Sequence, residues 1–139
     1  MTATTTTPAV SLAAPVVWKH GVAAAALAAG ATTALAVIAA RAGVSFSDGS
    51  SASIPTLGFA QLTLVFSLIG VAMAAVMQRK ATQPRATFVR AAAALTLLSY
   101  VPDLTFGFDA ASAVTLIALH TVAALIVVPV VARRLTRTR

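Results

Sequence analysis

The chain has 139 residues, of which 59% are hydrophobic and only 9% are charged. A water-soluble domain has about 25% charged residues, so this chain has too few to cover the surface of such a domain. Without cysteine, disulfides, thiol nucleophiles and thiolate metal sites are excluded. In a soluble protein, a net charge of +7 would suggest nucleic-acid binding. Here the basic residues flank apolar runs, so the predicted partner is the lipid bilayer and no nucleic acid is predicted to bind.

The predicted elements begin with a threonine-rich segment, residues 1–14, which lacks periodicity and is predicted to be a disordered tail. A transmembrane domain follows over residues 15–135, and a basic tail, 136–139, ends the chain. Its four apolar stretches can each cross about 30 Å of hydrocarbon, although the third does so only with its polar flanks. We therefore predict an all-α integral membrane bundle of four transmembrane helices, at about 18–41, 56–78, 87–104 and 110–132.

The distribution of lysine and arginine predicts the orientation. Nine of the ten basic residues lie on one side of the predicted spans, and the opposite side has Arg41 and the three aspartates. The positive-inside rule then places both termini in the cytoplasm of a plasma-membrane protein. A cleaved signal peptide ending near "IAARA" would leave three spans, but the first apolar run exceeds the usual core of about 7–15 residues. The predicted cytoplasmic anchors within the domain are Lys19, Arg79, Lys80, Arg85, Arg90, Arg133 and Arg134.

Polar side chains inside the apolar runs define a candidate pocket, formed by Gln61, Ser99, Asp103 and His120. A charged side chain at membrane depth is costly and so marks a candidate functional site. Thr96, Ser99 and Asp103 share one helix face at spacings of three and seven. Helical rise separates the Asp103 and His120 side chains by about 9 Å in depth, too far for a direct bond unless Pro102 bends the helix or water bridges them.

Each of these residues also has a simpler interpretation. Asp103 is adequately explained as a hydrated helix exit after a proline, and His120 as a neutral imidazole that fixes helix packing. Gln61 suits an inter-helix hydrogen bond, and the hydroxyls of Thr96 and Ser99 are expected to bond to their own helix. One histidine and one distant aspartate make no complete metal-ligand set, so no metal is predicted.

No enzyme signature is present. The chain lacks GxSxG and HExxH sequences and has no glutamate. Ser99 and Asp103 lie one turn apart on one helix, whereas a catalytic triad needs the histidine between them. We therefore predict neither catalysis nor a cofactor.

Three segments resemble successive blocks of a family of small actinobacterial integral membrane proteins, the domain of unknown function 6069. They are "IPTLGFAQLTLVFSLIGVAMA", "RATFVRAAAALTLLSYVPDLT" and "LIALHTVAALIVVPVVARRL", with "VPD" at 101–103 and "LH" at 119–120 as their most recognisable words. The resemblance covers about residues 20–135. It implies a four-helix membrane protein and brings no activity or site residues with it.

Two functional interpretations remain open. In the first, the protein is an accessory or structural membrane component that binds a copy of itself or a membrane-protein partner. The small-residue stripes of the first two helices would form that interface, since small residues let helices approach closely in lipid. In the second, it is a carrier or sensor for a small molecule or proton, and uses an outward-facing pocket around Asp103 and His120. The stripes are Gly21, Ala25 and Ala29, and Thr63, Ser67, Gly70 and Ala74.

Overall fold

The computed structural model describes residues 13–49 and 53–135, with side chains from residue 17 onward. The described chain is all-helical, apart from one isolated antiparallel bridge between Ser47 and Ser53. The predicted all-α class is thus confirmed. Most of the predicted N-terminal tail, and the basic segment 136–139, lie outside the described residues. The helices are α1 (Ala13–Arg41), α2 (Thr56–Lys80), α3 (Pro84–Thr105) and α4 (Ala110–Ala132).

Two helices begin earlier than predicted, and each has a proline in its first turn. α1 begins at Ala13, so Pro15 lies in its first turn, and α3 begins at Pro84 itself. The predicted starts, at about residues 18 and 87, lie after both prolines. Proline is tolerated there because the amide it lacks would have no intrahelical acceptor.

Three helices of the described chain are long and apolar enough to cross a membrane: Val17–Arg41, Thr56–Lys80 and Ala110–Ala132. α3 is not among them. It has 22 residues, which is sufficient length, but Arg85, Arg90 and Asp103 make it less apolar. The four predicted helices therefore exist, and three of them are long and apolar enough to cross a membrane.

The helices run antiparallel to their neighbours, and their apolar contacts form two clusters. One cluster, the basic-end core, joins Val17 of α1, Val71 of α2, Phe88 of α3 and Val131 of α4. The other, the loop-end core, joins Ala36, Phe46, Phe59 and Leu116. α1 packs mainly on α2 and α4, and α3 packs mainly on α4. α3 is thus the peripheral helix, and α4 connects it to the rest.

The α1–α2 and α3–α4 connections meet at the loop end. Asp109 caps α4 by accepting a hydrogen bond from the Ser112 amide at 2.8 Å, and also accepts one from the Ser45 hydroxyl at 2.7 Å. Phe46, buried with a positive φ of 51°, donates its amide to the Ser112 hydroxyl. The α1–α2 connection is therefore fastened to the start of α4, which fixes where α4 begins relative to α3.

The small-residue stripes are used largely within the molecule. Ala25 and Ala29 are buried in α1, and Ala74 is buried in α2. A Cβ atom built on Gly21 would lie 2.6 Å from both methyl groups of Val71. These four stripe residues therefore pack against neighbouring helices of the same chain.

Candidate functional site: a polar layer between two apolar cores

Six polar side chains lie between the two apolar cores along the helices, and we call them the middle layer. On α1, α2 and α4 each member falls between the residues that the helix gives to the basic-end core and those it gives to the loop-end core. Three close pairs make up the layer, and each joins two helices. The members are Thr32 and Thr63, Tyr100 and Thr121, and Asp103 and His120.

The charged pair of the layer joins α3 to α4. Nδ1 of His120 lies 3.0 Å from Oδ2 of Asp103. The Asp103 side chain is 7% exposed, whereas the His120 side chain is 42% exposed. The carboxyl group is therefore enclosed by the protein, and the imidazole forms one side of that enclosure and reaches the protein surface.

The Nδ1 atom of His120 lies close to two oxygen atoms. Nδ1 also lies 3.0 Å from the backbone carbonyl oxygen of Leu116, one turn earlier in α4. When Nδ1 carries a proton, its one N–H can align well with only one of these two oxygens. Alignment favours Leu116, so Oδ2 of Asp103 is buried without a well-aligned hydrogen bond within the described residues. The Asp103–His120 contact is thus mainly electrostatic.

The structure corrects the interpretation of Asp103 as a hydrated helix exit. α3 continues past Pro102 to Thr105, and the amide of Phe106 still donates to the Pro102 carbonyl. Proline removes one amide donor from the helix but does not end it here. Asp103 therefore lies inside the helix with its side chain against α4, where the protein and not solvent surrounds it.

The predicted difference of about 9 Å in depth between the Asp103 and His120 side chains is also wrong, since the two side chains are in contact. The prediction assumed that the α3–α4 connection lies at a single depth in the membrane. His120 lies ten residues into α4, about 15 Å along its axis, while α3 continues only about 3 Å beyond Asp103. α4 therefore begins farther out than α3 ends, and residues 106–109 bridge the difference. Five Cα–Cα steps reach at most about 17 Å. Side chains also lean toward their own N-termini, which brings these two together in antiparallel helices.

The other predicted pocket residues do not join the pair. Ser99 donates to the Thr96 carbonyl at 2.7 Å, and Thr96 donates to the Ala92 carbonyl at 2.9 Å. The prediction that both hydroxyls bond to their own helix is confirmed. Gln61 is exposed on α2, and no hydrogen bond connects it to another helix in the described chain, so the inter-helix interpretation of this residue is wrong there.

The two uncharged pairs were not predicted from the sequence. The Thr32 and Thr63 hydroxyls lie 3.0 Å apart, and those of Tyr100 and Thr121 lie 2.8 Å apart. Thr32 and Thr121 also bond to carbonyls of their own helices, so each can donate there and accept from its partner. The available signal was a hydroxyl near the middle of every apolar run.

Two open cavities of the described chain are lined by neither Asp103 nor His120. The larger is an open groove of about 620 Å³ between α3 and α4. The described residues contain no cluster of three or more histidine, cysteine or acidic side chains that could hold a metal ion.

The predicted anchors gather at one end of the bundle, beside the basic-end core. Lys19 lies early in α1, Arg79 and Lys80 end α2, and Arg85 lies in the first turn of α3. Arg90 follows within two further turns, and Arg133 and Arg134 come directly after α4. Arg41, Asp48 and Asp109 lie at the opposite, loop end. The helix ends therefore carry the charge asymmetry that the sequence predicted.

Comparison with known proteins gives one match. The model of a "Family of unknown function (DUF6069)" matches residues 12–137, which include all four helices and the middle layer. Neither a curated protein nor a solved structure matches the chain significantly. Since the matched region covers nearly the whole chain, this protein belongs to the DUF6069 family of unknown function.

Proposed function

We propose that the protein is a four-span integral membrane protein of the plasma membrane, with both termini in the cytoplasm. In this proposal it serves as an accessory or structural component and not as an enzyme. One observation carries the proposal. The polar groups of the middle layer connect the protein's own helices, while large apolar side chains such as Leu27, Phe66 and Leu125 face outward. In a bilayer, such outward faces contact lipid or another membrane helix.

The span assigned to α3 rests on its length and on where its charges lie. Its 22 residues extend about 33 Å, enough to cross the hydrocarbon core. Arg85 and Arg90 lie near its first turns, where long basic side chains can reach the interface. Asp103 is buried against His120, so lipid does not meet its charge. The outward residues of the last three turns are apolar except for Thr105, and include Leu97, Leu98, Val101 and Leu104.

Single-cysteine labelling tests the number of spans and the orientation, and the cysteine-free chain is a clean background. The positions are Ser53→Cys between α1 and α2, Thr82→Cys between α2 and α3, and Phe106→Cys after α3, which are all exposed. In intact cells, a membrane-impermeant maleimide should label the first and third variants. It should label Thr82→Cys only after permeabilisation. If Phe106→Cys behaves like Thr82→Cys, α3 does not cross the membrane.

Assembly tests the accessory role. Native mass spectrometry of the detergent-extracted full chain should show a stable complex with a second copy or with another membrane protein. Asp103→Asn and His120→Ala should change only stability or assembly. A strictly monomeric chain without a bound protein would refute the accessory role.

A second candidate, a proton carrier or sensor, is favoured by the Asp103–His120 contact. A buried carboxyl group beside an imidazole that reaches the surface gives two adjacent groups that can each bind a proton, and one of them is open to the surroundings. The only other titratable side chain near the pair on these two helices is Tyr100. The apolar runs of α1, residues 21–40, and of α2, residues 56–78, contain none.

Proton flux tests this candidate. In proteoliposomes with an imposed pH gradient, the wild type should dissipate the gradient faster than Asp103→Asn and His120→Gln. Thr121→Val, which changes the neighbour of His120 without changing charge, is the matched control and should retain the flux. If the wild type dissipates the gradient no faster than the two variants, the candidate is eliminated.

A further inference from the structure

The groove between α3 and α4 is apolar along its length and basic at one end. Its walls include Val89 and Leu97 of α3 and Leu125 and Val128 of α4, with Arg85 and Arg133 at the end next to the basic-end core. A second open cavity of about 580 Å³, lined by Arg85 and Val89 among others, adjoins this end. A charged opening therefore leads into an apolar channel on the protein surface.

The hydroxyls in the walls add little polarity. Thr96 donates to the Ala92 carbonyl, and Thr121 donates to the Ile117 carbonyl while it also contacts Tyr100. Their hydrogen bonds are made inside the protein, so an apolar occupant would leave neither hydroxyl without a partner. None of the three aspartates lines either cavity, and within the described chain neither arginine forms an ion pair. The positive charge at the opening is therefore available to an anion.

The dimensions match one lipid chain in one leaflet. The α3 wall runs from Arg85 to Leu97 and the α4 wall from Arg133 back to Thr121. Each covers thirteen residues, whose twelve helical rises amount to about 18 Å. Half of a hydrocarbon core of about 30 Å is about 15 Å. An acyl chain that enters between the arginines would therefore lie along the groove for the depth of its leaflet.

We propose that this groove binds an anionic phospholipid, with the headgroup phosphate between Arg85 and Arg133 and one acyl chain along the apolar walls. Two guanidinium groups offer forked donors that fit phosphate oxygens. Basic sites between membrane helices on the cytoplasmic side are suited to anionic headgroups. Charge complementarity selects this occupant over a second copy of the chain, whose exposed helix faces are apolar and have no acidic residue to place between the arginines.

Native mass spectrometry of the full chain in mild detergent tests the proposal, with palmitoyl-oleoyl phosphatidylglycerol and phosphatidylcholine as probes. The wild type should retain phosphatidylglycerol in preference to phosphatidylcholine. The double variant Arg85→Gln/Arg133→Gln should weaken phosphatidylglycerol binding about 30-fold, because each basic residue near an anionic membrane surface contributes a factor of about five. Far-UV circular dichroism checks that each variant is folded.

A matched control separates the groove from general positive charge. Arg79→Gln/Arg134→Gln removes the same charge from the same end of the bundle, but neither residue lines the groove. This variant should retain most of the phosphatidylglycerol binding. Equal losses in the two double variants would overturn the proposal.

A groove-filling variant tests the acyl chain. Ala93 is exposed in the α3 wall, so Ala93→Phe fills the groove without changing charge. It should lower the affinity for phosphatidylglycerol and leave any binding of glycerol 3-phosphate unchanged. Undiminished lipid binding in Ala93→Phe would refute the groove as the site. A dimer that is lost in this variant, without selective lipid binding, would instead assign the groove to a second copy.

Discussion

The close approach of α1 to α2 at Gly21 gives a sharp test of the fold. In Gly21→Ala, the new Cβ would lie 2.6 Å from both methyl groups of Val71, about 1 Å inside the normal carbon–carbon separation of about 3.5–4.0 Å. Val71 is fully buried, and a valine in a helix strongly prefers one rotamer, so it cannot turn away at low cost. Such overpacking costs about 1–3 kcal/mol, against a gain in helix propensity of at most about 1 kcal/mol.

Gly30→Ala in the same helix is the matched control, because nothing lies within 4 Å of a Cβ at that position. Only the gain in helix propensity applies there. We therefore expect Gly21→Ala to be less stable than Gly30→Ala by about 1–3 kcal/mol. The assay is the free energy of unfolding when SDS is added to the protein in mild detergent, followed by circular dichroism. Truncating the neighbour in Gly21→Ala/Val71→Ala should remove the clash, so the two substitutions should couple favourably. Equal stability of the two alanine variants would refute the packing of α1 on α2.

Three further predictions use the same assay. Thr32→Val removes the hydroxyl contact with α2 and should lower the free energy of unfolding by about 0.6 kcal/mol. The control is Thr33→Val, which should have a smaller effect because the Thr33 hydroxyl bonds only to its own helix in the described chain. Gly107→Ala should lower the free energy of unfolding by about 1–3 kcal/mol, because Gly107 has a φ of +86° and the new Cβ would lie 2.9 Å from the Asp48 carbonyl oxygen. A fully stable variant would contradict the structure of the α3–α4 connection. The Ser112 amide and the Ser45 hydroxyl hold the pKa of Asp109 below its ordinary value, so its stabilisation is present above that value and is lost as pH falls through the lowered pKa. Asp109→Asn retains the cap but should remove this acid dependence, and an unchanged acid profile would contradict the assignment.

The positions of the helices were largely predictable from the sequence. Apolar runs between charged or proline-containing turns indicate helices when each run is long enough for a bilayer, and α4 has the predicted bounds of 110–132. The early starts at Ala13 and Pro84 were not predicted, because a proline looks the same in sequence whether it precedes a helix or lies in its first turn. The Asp109 cap was present in "DAAS", since aspartate commonly accepts a hydrogen bond from an amide three residues later.

The candidate site was only partly predictable. Asp103 and His120 stood out from composition alone, because ionisable side chains are rare in apolar runs. Their contact was not predicted, because it depends on how far α4 begins beyond the end of α3. That offset is set by the irregular residues 106–109 and by their hydrogen bonds to the α1–α2 connection. Gln61 carried the same signal of polarity but faces outward on α2.

The sequence by itself determined the helical class, the apolar runs and the concentration of positive charge at one end, because these follow from residue type and spacing along the chain. Only the tertiary structure decided which faces meet. It turned the small-residue stripes inward, aligned three polar pairs between two apolar cores, and opened the groove between α3 and α4. Those outcomes depend on how the helices are shifted and rotated relative to one another. Each helix has several apolar faces of similar character, so the sequence does not determine which face packs inward. The packing of all four helices together determines it.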